Sequence, residues 1–424
     1  MFKKHPTGLR VIFFTEMWER FGFYVLMAVF VLYMDQEFGW ADQRKADFYG
    51  IFLGAVYFLP ILGGWLGDRV LGHRNTIRIG AGLMVLGYAA LSVSSVDRLA
   101  AFYAGLAFIA TGTGIFKSNM SVMVGALYES RPDLKDSGFN IYYMGVNLGA
   151  AIAPLAATII HNVYGSYRIS FAAAAIGLIV AIITFELGKK RLPETRTQVI
   201  MQTGPSTAAA QINNTEVRQR ILTLGILFSI VVFFWIAFYQ NGFALTLFAQ
   251  RATVTSGVLQ PETYQFFNPF FILLLTPVIL WLFSRLQARG KEPASAVKIF
   301  LGMFVSGFAM LVMVIAGLAG GDADNNSMSP LWLVCAYLIV TVAELLVSPM
   351  GQSYVTKVAP PRMKGLMIGF WFGATAVGSY GSGFLGRFYG FFPHHQYYLL
   401  IGILLFLASL LTLLFLKKLN KFAP

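Results

Sequence analysis

Polar residues interrupt this chain at long and fairly regular intervals. Apolar runs cover residues 9–34, 48–68, 76–96, 99–127, 138–161, 168–188, 221–249, 265–284, 296–318, 330–355, 364–389 and 395–416. Each run is about 20 residues or longer, the length a helix needs to cross ~30 Å of hydrocarbon. The pattern predicts an all-α integral membrane protein with twelve transmembrane helices. Runs that hold Pro or Gly can be broken helices, which leaves the count open by one. The longest polar connection, 189–220, follows the sixth run. It divides the chain into an N-terminal six-helix bundle at 1–188, a cytoplasmic loop at 189–220 and a C-terminal six-helix bundle at 221–424. Two such bundles are the plan of a major facilitator fold.

Five ionisable residues stand well inside the runs: Glu16, Glu19, Arg20, Lys117 and Glu344. Three of them share one stretch, FFTEMWERFGFYVLMAVFVLYM, residues 13–34. An isolated charge in hydrocarbon costs several kcal/mol, so such groups face a cavity and pair. Arg20, Lys117 and Glu344 are ten, twelve and thirteen residues from Arg10, Glu129 and Lys357 at span ends expected on one side. At ~1.5 Å per residue they reach a common depth near the midplane, where transporters hold substrate. Glu16 and Arg20, four residues apart, share a helix face with Glu19 beside them.

Polar stripes run at helical spacing along three spans: Asn140, Tyr143 and Asn147; Tyr337, Thr341, Glu344 and Ser348; and Trp371, Thr375, Ser379 and Ser382. They suit the wall of a wet cavity, or contacts between helices. In the N-terminal half two carboxylates meet Arg20 and Lys117, so that set can be neutral. Glu344 has no cation in its own half. It must carry a proton or bind a cationic ligand, and those options exclude one another. Lys117 can pair with a glutamate or receive a substrate carboxylate.

Composition agrees: 57% of residues are hydrophobic, 12% are charged, and the mean hydropathy is +0.66. That excludes a soluble globule. The net charge of +13 is spread along the chain rather than clustered for nucleic acid. Of the 32 Lys and Arg, 24 fall in the connections of one side and six on the other, which places both termini in the cytoplasm. The first run is full length and no cleavage site follows a short apolar core, so it is expected to stay as the first span. The single cysteine, Cys335, excludes an intramolecular disulfide. His5, His73, His161, His394 and His395 form no metal-binding pattern, and nothing points to an enzyme or a cofactor.

The segment GGWLGDRVLGHR, residues 63–74, resembles the loop signature of the major facilitators. Its glycines allow close helix approach, Asp68 and Arg69 are placed to latch neighbouring helix ends, and Gly72 ends the span. Further motifs extend the likeness. Glu16, Glu19, Arg20, Phe21 and Tyr24 fit an ExxERFxYY pattern, with Phe23 in place of its first tyrosine. GTGIFKSNMSVMVG supplies Lys117, and FNIYYMGVNLGA supplies Tyr142 and Asn147. FWIAFYQNGFALTLFA supplies Gln240, FFNPFF supplies Asn268, AELLVSPMG supplies Glu344 and Ser348, and GFWFGATAVG supplies Trp371. Together with Tyr57 these resemble, in order and over nearly the whole chain, the proton-dependent oligopeptide transporters.

The resemblance implies a bacterial-type, proton-coupled symporter that imports di- and tripeptides by alternating access across the inner membrane, and that a monomer suffices. It implies that Glu16, Glu19, Arg20, Lys117 and Glu344 couple protons. Arg20 and Lys117 would also face the peptide carboxylate, and Glu344, Asn147 and Asn268 its amino group. Tyr24, Tyr57, Gln240, Ser348 and Trp371 would contact substrate, and Asp68, Arg69 and Gly72 would serve the conformational change. Protons are the coupling ion and no cofactor is implied. Met27 stands where the family often has a further arginine. The buried charges alone also suit a proton-linked exporter of another amphoteric solute or a drug.

Overall fold

A computed structural model describes residues 2–193 and 213–422. Among the described residues it has helices, two isolated β-bridges and no strand. The helices are α1 (Gly8–Phe38), α2 (Asp42–Phe58), α3 (Pro60–Leu66), α4 (His73–Ser92), α5 (Leu99–Ala126), α6 (Lys135–Tyr164), α7 (Tyr167–Gly188), α8 (Asn214–Phe238), α9 (Ala244–Arg251), α10 (Phe267–Ala288), α11 (Ser295–Ala319), α12 (Pro330–Val358), α13 (Lys364–Gly386), α14 (His394–Leu414) and the short α15 (Leu416–Asn420).

With α2 and α3 counted as one span, and α8 and α9 as another, the described residues hold twelve helical spans. Ten are long and apolar enough to cross a membrane by length and composition. The other two are α4 and α13, of 20 and 23 residues. The first turns of α4 carry His73, Arg74, Asn75 and Arg78, and Gly and Ser dilute the apolar side chains of α13.

Both broken spans have a local cause. Pro60 lacks an N–H and its ring disfavours a continuous helix, so α2 gives way to α3 there. The span then widens into a π turn at Gly67–Leu71 and stops at Gly72, whose φ of 74° only glycine adopts readily. A 3₁₀ turn, Tyr239–Gly242, separates α8 from α9. Helix α2 starts at Asp42, six residues before the expected start, which brings Arg44 and Lys45 into the helix. Helix α8 starts at Asn214, inside the expected 189–220 loop, with the Asn213 side chain accepting from the Thr215 N–H at 3.3 Å. Residues 194–212 of that loop lie outside the described residues.

The chain divides into two compact units. Unit 1 comprises the described parts of Met1–Ala41, Ile51–Gln202 and Glu262–Pro269; unit 2 comprises those of Asp42–Gly50, Thr203–Pro261 and Phe270–Pro424. In unit 1, α4 and α5 meet backbone to backbone. A Cβ on Gly80 would lie 2.8 Å from the Gly112 carbonyl oxygen, and one on Gly105 would lie 2.9 Å from that of Gly87. Such contacts replace the hydrophobic drive that is absent between helices in lipid. Gly145 and Gly149 set α6 against Phe13 and Met17 of α1 in the same way. In unit 2, α11 packs on α12 and α14 at Gly302 and Gly307, and α8 packs on α13 at Gly378.

Candidate functional site

Helix α1 is enclosed by protein over most of its length, so the three ionisable residues deep within it are buried. Glu16, Glu19 and Arg20 are 1%, 0% and 3% exposed. Arg20 grips Glu19 through both nitrogens of one guanidinium edge: Nε donates to Oε2, and Nη2 donates to Oε1 at 2.7 Å. Glu16, the partner favoured by helical spacing, holds a second contact, its Oε1 3.5 Å from Arg20 Nε. Its Oε2 is buried with no hydrogen-bond partner among the described residues. The guanidinium also lies over the Phe23 ring, 5.0 Å from its centroid. Tyr142 of α6 adjoins Glu16.

Lys117, on α5, joins this cluster. It interacts electrostatically with Glu16, Glu19 and Arg20, and its ammonium lies 5.3 Å from the centroid of the Tyr57 ring. The cluster thus holds two carboxylates and two cations, drawn from α1 and α5. Packing fixes where Lys117 stands. On one side Gly112 abuts α4, and on the other Gly114 abuts Leu59. Two residues further on, Asn119 donates to the carbonyls of Gly63 at 2.8 Å and Ile115 at 2.7 Å, and its Oδ1 is 2.7 Å from His73 Nδ1. His73 Nε2 is 3.5 Å from Asp68. Asp68, expected to latch helix ends directly, therefore reaches α5 through His73 and Asn119, while Arg69 is exposed.

The other expected residues of unit 1 stand as follows. Tyr24 and Tyr57 are half-buried, and the Tyr24 ring meets Phe23 edge to face at 5.6 Å. Asn147 is buried and its amide donates to the Tyr143 carbonyl at 2.9 Å. Asn268 is half-buried, in the segment Glu262–Pro269. Met27 is an apolar interior residue whose carbonyl accepts from Gln265 at 3.2 Å.

In unit 2, Glu344 and Ser348 are half-buried in the middle of α12. The other two members of their stripe are interior: Tyr337 donates to the Asn241 carbonyl at 3.0 Å, and Thr341 to that of Tyr337 at 2.7 Å. The α13 stripe takes the second of the two roles its spacing allows. Trp371, Thr375, Ser379 and Ser382 are at most 3% exposed, and Thr375 and Ser379 bond to carbonyls of their own helix. That stripe is a helix contact rather than a wet wall. Gln240 sits at its end, fully buried. Its Nε2 donates to the Ser382 carbonyl and hydroxyl, each at 3.0 Å, and its Oε1 accepts from Tyr397 at 2.9 Å. Trp371 packs on Gly351. Gln240 and Trp371 thus join α8, α12, α13 and α14.

Sequence reading missed other buried ionisable groups because they lie at span ends. In unit 2, Asp42 accepts from both Arg251 amines at 2.9 and 2.6 Å and pairs with the buried Lys45 at 3.0 Å. In unit 1, Glu262 is fully buried, accepts from the Tyr167 hydroxyl at 3.2 Å and lies 3.4 Å from His161. Among the described residues no group of three or more His, Cys, Asp or Glu is placed to hold a metal ion.

Ionisable groups buried within membrane spans are costly, pair with one another and mark candidate ion or substrate pathways. Comparison with known proteins names the kind. The family model described as the POT family matches residues 74–201 and 196–398. The chain belongs to the POT family. Two curated POT-like relatives are the peptide transporter YePEPT of Yersinia enterocolitica, 30% identical over 90% of this chain and 88% of its own length, and the dipeptide and tripeptide permease A of Escherichia coli, 28% identical over 90% and 85%. A crystal structure of a peptide transporter POT in complex with sulfate superposes with a TM-score of 0.89 at 28% identity, covering 100% of this chain and 97% of that one. The fold is accordingly the major facilitator fold of the POT transporters, twelve transmembrane helices in two six-helix bundles. The family consists of transporters rather than enzymes.

Proposed function

We propose that this protein is a proton-coupled symporter that imports di- and tripeptides by alternating access, with 1–188 and 221–424 as its two bundles. The observation that carries the reading is the unit 1 cluster, in which Arg20 is held on Glu19 and Lys117 stands within reach of both carboxylates. Every short peptide has one carboxylate and one ammonium, whatever its side chains. Arg20 or Lys117 can leave a glutamate for the peptide carboxylate, and a proton then neutralises the glutamate left behind. Glu344 supplies the opposite charge, for the ammonium or for a proton. Each half-reaction exchanges one positive charge for another, so no net charge is stranded in a low-dielectric interior.

Tyr24, Tyr57, Asn147, Asn268 and Ser348 are assigned to the substrate. Gln240 and Trp371 act one layer behind, as their buried contacts support. Asp68, Arg69 and Gly72 belong to the conformational change. The protein works as a monomer in a bacterial inner membrane with both termini in the cytoplasm, and it needs no cofactor besides protons.

The test is uptake of a labelled dipeptide panel into liposomes that hold the purified protein. An inward proton gradient should concentrate at least one peptide. Lys117→Ala should abolish driven uptake and leave counterflow, and Glu344→Gln should reduce driven uptake. If no di- or tripeptide accumulates with the intact protein, the reading fails.

A further inference from the structure

Tyr88, in the last third of α4, belongs to none of the motifs above, yet it stands beside the charge cluster. It is fully buried, and its hydroxyl has no hydrogen-bond partner among the described residues. A buried hydroxyl without a partner is rare, because the unmade bond has a real cost. Its ring edge lies 3.4 Å from where a Cβ on Gly22 would be, and Gly22 is three residues beyond Glu19 on α1. Glu19 and Arg20 are the charges that act on it. In the structure both oxygens of Glu19 accept from Arg20, and the Tyr88 hydroxyl makes no bond to either.

We propose that Tyr88 is a positioning residue that donates to the Glu19 carboxylate once Arg20 has turned to the substrate. The proposal rests on the transport reading above. When Arg20 leaves, Glu19 is a fully buried carboxylate that needs a donor or a proton. The waiting hydroxyl of Tyr88 supplies the donor, and so lowers the cost of releasing Arg20. The groups that face Glu19 are Glu16 and Arg20 on its own helix, Lys117 on α5, and Tyr88 on α4; Tyr142 of α6 adjoins Glu16. Helix α7 presents Ala174 and Leu178 to Gly22 and adds no charge there.

The experiment compares the wild type with Tyr88→Phe, which keeps the ring and its packing. The thermal midpoint in detergent should be unchanged or slightly raised, since the hydroxyl lost had no partner. The KM for a dipeptide in counterflow, with equal pH on both sides, should rise about tenfold at pH 8, the scale of an unsatisfied buried acceptor. In a Glu19→Gln background, where no carboxylate awaits a donor, the same change should alter KM by less than twofold. An unchanged KM at pH 8, an equal defect in the Glu19→Gln background, or a lowered midpoint would each overturn the proposal. Failure of the wild type itself to transport peptides would instead refute the underlying reading, so the two are told apart.

Discussion

Arg20→Met removes one charge from a cluster of four ionisable side chains, three of which are at most 3% exposed. The substitution strips Glu19 of both its donors and Glu16 of its 3.5 Å contact. Removing one partner of a buried ion pair costs about 3–5 kcal/mol, because the survivor is left unpaired. Glu19→Gln is milder. The amide oxygen still accepts one bond from Arg20 while the amide NH2 cannot accept the other, Glu16 remains to balance the guanidinium, and the cation in excess is the half-buried Lys117, so one charge-assisted bond is lost, at about 1–2 kcal/mol. For a unit of this size each kcal/mol moves the thermal midpoint by about 2–4 °C. Arg20→Met should therefore lower it by roughly 6–20 °C and Glu19→Gln by roughly 2–8 °C. The variant that combines Glu16→Gln, Glu19→Gln, Arg20→Met and Lys117→Met buries no charge in the cluster and should recover most of the loss. Tryptophan fluorescence of the purified protein, heated in detergent, reads all three. The reasoning is refuted if Glu19→Gln is the more damaging single change, or if the combined variant is less stable than Arg20→Met.

Three further outcomes follow from the packing. Gly112→Val drives a branched side chain into the Gly80 carbonyl and the Met84 backbone; it should destabilise unit 1 by at least about 2 kcal/mol, read as a lower thermal midpoint and lower yield. Asn119→Ala takes one partner from His73 Nδ1 and one from the Gly63 carbonyl; a loss of about 1–3 kcal/mol and slower counterflow at unchanged KM are expected, because the link from α5 to the Asp68 segment is cut. Asp42→Ala leaves both Arg251 and the buried Lys45 without this partner, so its midpoint should fall below that of Arg251→Ala by several degrees, about 1–2 kcal/mol.

The sequence alone determined the class of this protein. Twelve apolar runs allow few structures besides a helical membrane bundle, since unpaired backbone groups are intolerable in hydrocarbon. It also picked out the ionisable residues that cluster on α1 and α5, because charges placed deep in such runs have no cheap position except beside one another. Tertiary structure decided the pairings. Helical spacing offers Glu16 to Arg20, yet Arg20 takes the adjacent Glu19 in two bonds, a choice of rotamer and packing that spacing cannot express. The direction of each polar stripe was decided the same way. Periodicity shows that Trp371, Thr375, Ser379 and Ser382 share a face, but only the neighbour packed at Gly378 makes that face interior. Tyr88 was illegible because a tyrosine in an apolar run has no periodic or charge signal. Its meaning comes from burial without a partner next to Glu19, which exists only once α4 lies against α1.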